Sequence, residues 1–335
     1  MSDKYAAAGV DIGAKNRSNR LVGSLARSTF DPRVISEPGF FNGMYELDGF
    51  QKPLLVSSTD SVGTKTKIAI ALNRYDTMGL DIVNHCVNDI FTCGARPLFF
   101  LDYIGIGKLV PERVEALVGG VAKACKDVGC VLIGGETAEL ADVYHGDDYD
   151  LAGFIIGGVE KDQAIAGKAI REGDTVLGMP SSGLHTNGFT LARRIFGDTP
   201  EDLSAIYPEL GRPVGEVLLE PHRCYYNDLK DVLPLVRGMA HITGGGLVDN
   251  VPRIIPEGLA VRFDAASWDI PPVFTLMERL GDVPRAEMYR DFNMGVGMVV
   301  VCAPESAAEL RRRVPELMDI GKVTRQAGDA RVSID

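Results

Sequence analysis

Six residues on three separate segments carry the side chains that phosphoryl transfer uses. Asp60 and Lys65 stand in DSVGTKTK at 60–67, Asn88 and Asp89 in VND at 87–89, and Glu136 and Glu139 in GGETAE at 134–139. Hard divalent cations such as Mg2+ take oxygen ligands, and carboxylates supply them. The cation and a lysine then neutralise phosphate oxygens, so that catalysis is chiefly positioning and electrostatics. A helix opening just after Gly63 would aim backbone N–H groups and its dipole at an anion beside Lys65 and Thr66. This is not a P-loop, because no GxxxxGK[ST] occurs. The residues alone point to an enzyme that uses ATP or phosphate.

The elements that must hold these groups read as follows. Residues 81–94 have a helix period, with Ile82, Cys86, Ile90 and Cys93 on a broad apolar side. Asp81, His85, Asn88 and Thr92 share the opposite stripe, with Asp89 next to it. That stripe lacks the Lys and Glu pairs usual on a solvated helix and reads as a site; the alternative is a face polar because water is there. Gly94 and Pro97 end the helix, and 98–104 reads as a buried strand. Residues 54–59 predict a strand that feeds Asp60, and a helix runs through 68–72. Residues 111–128 predict a helix with Val114, Leu117, Val118, Val121 and Cys125 inward. A strand at 130–133 is expected to turn at Gly134-Gly135 and leave Glu136 at the tip. Residues 147–150 read as a solvated acidic turn, and 151–159 as a strand. Residues 11–22, with Lys15, Arg17 and Arg20, read as a flexible arm, the alternative being a loop that closes over an anion. Phe40–Gly43 is expected to be a turn flanked by aromatics.

A polar connector at 161–173 places a domain boundary there, giving residues 1–165 and 166–335. The second half repeats the strand–turn–helix alternation. A strand at 175–178 leads into Pro180-Ser181-Ser182-Gly183-Leu184-His185-Thr186-Asn187-Gly188 and a helix through Phe196. A helix is expected at 222–236, and a strand at 239–242 ending in Thr243-Gly244-Gly245-Gly246. Helices at 247–255, 272–280 and 305–314, strands at 259–263 and 296–302, and two short final strands complete the reading. Gly-rich turns that open helices suit oxyanions and sit where ligands gather.

Composition narrows the class. Lys and Arg number 35 and Asp and Glu 46, a net charge of 35 − 46 = −11, which argues against a nucleic-acid-coating surface. The six cysteines form no CxxC and no zinc spacing, and read as reduced thiols of a cytoplasmic protein. The N-terminal residues have no secretory pattern and no apolar run approaches ~18–20 residues, so no membrane partner is expected. No G-x-G-x-x-G opens a helix and no G-x-S-x-G occurs.

Eight blocks, in order, resemble the phosphoribosylformylglycinamidine cyclo-ligases: DSVGTK, VND, GARPLFFLDY, GGETAE, YHGDDYDLAGF, SSGLHTNG, HITGGG and EMYRDFNMGVGM. The resemblance implies an α+β or α/β fold in two domains. The N-terminal domain would be a mixed sheet with helices that pairs into a barrel across a homodimer; the C-terminal domain would be a sheet with flanking helices. It implies ATP-dependent closure of formylglycinamidine ribonucleotide to aminoimidazole ribonucleotide, in purine biosynthesis, with Mg2+. Carried over by motif, Asp60, Asp89 and Glu136 would ligate Mg2+. Lys65, Thr66, Asn88, Gly134, Gly135 and Thr137 would join them around ATP. Ser181, Ser182, Asn187, Thr243, Gly244, Gly245 and Gly246 would hold substrate. His185, His241 and Lys65 are the candidate catalytic groups. The chain departs from the family at Ser61, usually Gly; at Asn84-His85, usually a small residue and Met; and in the arm and the Phe40–Gly43 turn, which lack the usual Gly-rich forms. Selenophosphate synthetase and thiamine monophosphate kinase share the superfamily. The first of these normally uses an N-terminal Cys or selenocysteine, whereas the first Cys here is Cys86.

Overall fold

The structure, a computed structural model, describes residues 12–335. The described chain divides into two compact units. The first takes the residues up to Ile90 and Arg96–Glu160; the second takes Phe91–Ala95 and Lys161–Asp335.

The first unit is a four-stranded mixed sheet with helices. Its elements are α1 (Ile12–Arg27), β1 (Pro53–Ser61), α2 (Lys65–Ala71), α3 (Met78–Phe91), β2 (Arg96–Ile106), α4 (Pro111–Asp127), β3 (Val131–Glu139) and β4 (Tyr149–Glu160). The strand order is β1-β4-β2-β3. β4 pairs antiparallel with β1 and β2, whereas β2 and β3 are parallel. A parallel pair needs a long crossover, and α4 supplies it. Alternation along β2 turns Phe100, Asp102, Ile104 and Ile106 inward. Burying a side chain such as Phe100 is worth about 1.5–3 kcal/mol. Val114, Leu117, Val118, Val121 and Cys125 of α4 are buried, as their spacing predicts. So are Ile82, Val83, Cys86, Val87 and Ile90 of α3.

Two expectations for this unit fail. The polar stretch at 12–22 is a helix rather than a flexible arm; Asp11 lies outside the described residues. Its buried side is made of Ala14, Ser18 and Ala26, spaced by four and eight, and it packs on α4. Small residues give a weak apolar signal, so the period did not stand out. Nor do Gly134 and Gly135 form a turn. They continue β3, opposite Leu101 and Asp102, because ladder bonds to β2 outweigh the low strand preference of glycine. A Cβ on Gly135 would lie 2.2 Å from Asp102 Oδ1, so glycine is what lets that carboxyl lean over β3. Glu136 and Glu139 are therefore on the strand itself, and three residues apart they face opposite sides. Glu139 Oε1 accepts from Leu109 N–H at 2.8 Å.

The second unit is built on a six-stranded sheet of order β10-β7-β9-β5-β8-β6. Its strands are β5 (Thr175–Pro180), β6 (Val236–His241), β7 (Leu259–Phe263), β8 (Val296–Cys302), β9 (Met318–Arg325) and β10 (Val332–Ile334). All seven residues of β8 are buried, with β5 on one side and β6 on the other. Its helices are α5 (Phe189–Phe196), α6 (Pro200–Leu203), α7 (Val214–Leu218), α8 (Tyr226–Leu229), α9 (Gly246–Asn250), α10 (Pro272–Gly281), α11 (Arg285–Asp291) and α12 (Pro304–Arg313). The single helix expected at 222–236 is instead α8 followed by a tighter helical run, Lys230–Leu235, that contains Pro234. Pro252 likewise stands where α9 gives way to the tighter Val251–Arg253. Proline lacks the N–H that continues an α-helix.

Candidate functional site

In the first unit, β1 and α3 bring together three titratable groups. Asp60 stands near the end of β1; His85 and Asp89 lie one turn apart on α3. His85 Nε2 is 2.9 Å from Asp60 Oδ2 and 3.9 Å from Asp89 Oδ2. Ser58 Oγ donates to Asp89 Oδ2 at 2.9 Å, and Ser61 N–H donates to Asp60 Oδ1 at 2.7 Å. The imidazole is buried while both carboxylates are partly open. Burial alone would raise the Asp60 carboxyl, but the bond and charge of His85 and the Ser61 amide hold it below its ordinary value. Burial would lower the His85 imidazole, but the Asp60 bond and the charges of Asp89 and Asp60 carry it above its ordinary value.

The same stripe has a second, closed function one turn earlier. Lys65 Nζ lies 2.9 Å from Asp81 Oδ1 and 2.8 Å from Asp81 Oδ2, both side chains having no exposed surface. Lys65 shares the inward side of α2 with Ile68 and Ala69, at spacings of three and four, so the fold points it inward. The expectation of an open lysine beside phosphate does not match this placement. Asn88 is likewise fully buried, and Thr66 Oγ1 donates to Gly63 C=O at 2.9 Å.

Glu136 is placed apart from the Asp60–Asp89 pair. Asp60, Gly153, Asp102 and Gly135 form one row across β1, β4, β2 and β3. Three strand spacings put its ends about 14 Å apart. Glu136 belongs to the next row and so to the other face. It lines a cleft of about 760 Å³ with Asn19, Phe40, Asp102, Tyr103 and Phe154. Gly134 and Gly135 line that cleft too, and Thr137 a smaller one beside it with Lys15. Asp102 is 5% exposed, and burial pushes its carboxyl up to about 7, its own backbone N–H pulling it back slightly. Sequence reading missed it because an acid inside an apolar run, FFLDY, reads as one more strand residue.

In the second unit the chemistry is imidazole. His185 and His222 stack with centroids 4.0 Å apart, and His222 Nε2 lies 2.9 Å from His241 Nε2. Thr186 Oγ1 is 3.4 Å from His222 Nδ1. All three rings are buried. A bond between two Nε2 atoms needs one protonated and one bare nitrogen, so each ring fixes the tautomer of the other. His222 was not foreseen; nothing in EPHRC announces it, since its partners arrive from other segments.

Loops hold these rings. His185 has φ +62°, a left-handed conformation uncommon outside glycine. Ser182 N–H donates to His185 Nε2 at 3.2 Å, and Ser182 Oγ to Pro221 C=O at 2.6 Å. Asn293 ties the loop shut: Oδ1 accepts from Ser181 Oγ and Gly295 N–H, both at 2.9 Å, and Nδ2 donates to Gly183 C=O at 2.8 Å. Asn250 does the same for the glycine turn, donating to Gly246 C=O at 2.8 Å and Gly244 C=O at 3.2 Å, with Thr243 C=O at 3.4 Å. Asn187 Oδ1 lies 3.1 Å from the Cβ position of Gly244, so the two loops meet there. Ser181, Ser182, Asn187, Thr243, Gly244, Gly245 and Gly246 therefore fall within one unit as the motifs suggested. Gly244 and Gly245 also line a second cleft, of about 420 Å³, with Gly188, Thr190 and Arg194.

Comparison with known proteins places this geometry. Residues 46–159 match the N-terminal domain of AIR synthase related protein, and residues 171–333 match its C-terminal domain. Phosphoribosylformylglycinamidine cyclo-ligase of Desulfitobacterium hafniense is 50% identical over 312 residues, 91% of each chain. That of Geobacillus kaustophilus is 46% identical over 337 residues, 98% of this chain and 97% of its own. Among solved structures, thiamine-monophosphate kinase from Stenotrophomonas maltophilia shares the fold, with a TM-score of 0.68 at 16% identity, covering 94% of this chain and 96% of the other. Hydrogenase maturation protein HypE in complex with ATP has a TM-score of 0.63 at 19% identity, covering 95% and 90%. With both halves matched and about half of its residues shared with named enzymes, this chain belongs to the phosphoribosylformylglycinamidine cyclo-ligase family and is a ligase.

Proposed function

We propose that the protein closes the imidazole ring of aminoimidazole ribonucleotide from formylglycinamidine ribonucleotide, converting ATP to ADP and phosphate, in the cytoplasm as a step of purine biosynthesis. The observation that carries this reading is 50% identity to a named cyclo-ligase along 91% of the chain. An amide oxygen is a very poor leaving group. Transfer of the γ-phosphoryl group to that oxygen makes it one; an amidine nitrogen then attacks the same carbon, the C–O bond breaks, and phosphate departs as the ring forms. The attacking nitrogen loses a proton, and His185 or His241, joined through His222, is suited to take it.

The cleft between Phe40, Asp102, Tyr103, Glu136 and Phe154 has the volume for a nucleotide. Two neighbouring carboxylates, Asp60 and Asp89, are a donor set that fits a divalent cation. Mg2+ held there would offset charge on the phosphate oxygens. In this reading Glu136 and Thr137 act on the nucleotide from β3, and Lys65 acts through Asp81, by fixing α3. The exposed Leu55 of β1 and Phe154 of β4, 65% and 43% open, suit burial against a second copy in a homodimer. Light scattering on the whole chain checks that: a folded, active monomer would contradict it.

The deciding assay mixes the protein with formylglycinamidine ribonucleotide, ATP and Mg2+ and follows aminoimidazole ribonucleotide and phosphate together. One-to-one appearance of both, dependent on substrate, is expected. ATP hydrolysis with no imidazole product would sink the reading.

A further inference from the structure

The cluster on β1 and α3 contains one more donor than the carboxylates assigned to the cation. His85 is 3% exposed, so its ring is fixed by packing, and Nε2 lies within 4 Å of an oxygen of both Asp60 and Asp89. Two ligand atoms each about 2.1 Å from a metal ion sit about 3.0 Å apart when adjacent and about 4.2 Å apart when opposite. Nε2 stands 2.9 Å from Asp60 Oδ2 and 3.9 Å from Asp89 Oδ2, within that range for both. Both carboxylates are partly open, so their side chains can turn toward Nε2 and share one ion with it.

We propose that His85 is a nitrogen ligand, beside Asp60 and Asp89, of a mixed nitrogen–oxygen site that takes transition-metal dications in preference to Mg2+. The proposal rests on the reading that Asp60 and Asp89 hold the cation. Mg2+ demands oxygen donors and keeps its waters, whereas imidazole is a borderline donor suited to the first-row metals. As the ion enters, the Nε2 proton shared with Asp60 leaves to solvent, and the nitrogen lone pair replaces the hydrogen bond. Ser58, which already donates to Asp89, keeps that carboxylate in place.

Mn2+ alone is the probe. It binds most weakly in the first-row series, so success with it is the demanding case. The intact protein is titrated with Mn2+ by electron paramagnetic resonance, with and without excess Mg2+. Pulsed measurements on the bound ion then read nitrogen coupling. The expected result is one Mn2+ per chain with imidazole 14N modulation that converts to the 15N pattern when the protein carries 15N-histidine. That pattern needs no variant and so does not depend on any variant folding. His85→Gln should lose the modulation and bind Mn2+ about 10–100-fold more weakly, while Mg2+ binding falls less. Bound Mn2+ with no histidine coupling, or coupling that persists in His85→Gln, overturns the proposal and leaves the carboxylate reading standing. Mn2+ binding unaffected by Asp60→Asn and Asp89→Asn overturns both.

Discussion

The two units solve the placement of reactive groups in different ways. In the first, Asp60, His85 and Asp89 project from a long strand and a long helix, and the groups carry charge. In the second, His185 and the glycine turn stand on loops, His222 and His241 at loop and strand ends; His222 and His241 share a hydrogen bond, and His185 stacks on His222. Charges need regular, rigid supports because a misplaced one is costly in a poorly hydrated setting. Stacked rings tolerate irregular backbone, provided that amides such as Asn250 and Asn293 satisfy the loop carbonyls.

The largest test of that contrast is Asp81→Ala. It leaves the Lys65 ammonium buried without its carboxylate, and a loss of about 3–5 kcal/mol in stability is expected by chemical denaturation. A loss below ~1 kcal/mol would mean that the pair is not what sets α3. Next is Asp89→Asn, which keeps shape and removes charge. Turnover should fall about 100-fold, near 2.7 kcal/mol, with the thermal midpoint unchanged; wild-type rates would remove Asp89 from the machinery. In the second unit, Gly297→Ala would place a Cβ 1.9 Å from Tyr225 Oη and 2.7 Å from His185 Cε1. Overpacking of this kind costs about 1–3 kcal/mol, and the imidazole signals in a nuclear magnetic resonance spectrum should shift with it.

The effect most dependent on pH concerns Asp102, an acid on a regular strand with no described side chain donating to it. Burial raises its carboxyl to about 7 from an ordinary 3.8. An acid raised on folding favours the folded state when protonated, so its penalty is absent below pH ~4 and grows as pH climbs to about 7. Asp102→Asn should therefore stabilise the protein by as much as about 4 kcal/mol at pH 8 and leave it nearly unchanged at pH 4. Equal melting shifts at the two pH values would contradict this.

What could be read from the chain follows the same division. The spacing of Asp81, His85 and Asn88 on α3 was visible, because a helix repeats every 3.6 residues. That Asp81 and Asn88 are buried was not, since burial depends on Lys65 and the sheet, which arrive from elsewhere. Gly134-Gly135 looked like a turn because local preference carries no trace of the ladder to β2. The loop motifs around His185 and Gly244 were found by resemblance, yet His222, Asn250 and Asn293 were not. His222 meets His241 across 19 positions and Asn293 meets Ser181 across 112, while Asn250 reaches back only 4 to 7 positions, to carbonyls that a glycine turn exposes.

The left-handed backbone of His185 bears on how this enzyme can be engineered. Holding a non-glycine residue there costs about 1–3 kcal/mol, and glycine would remove most of that cost. Yet glycine would also empty the space of a buried ring stacked on His222, at a cost of about 2–5 kcal/mol, so the strained backbone and the imidazole are tied together and selection for heat resistance keeps both.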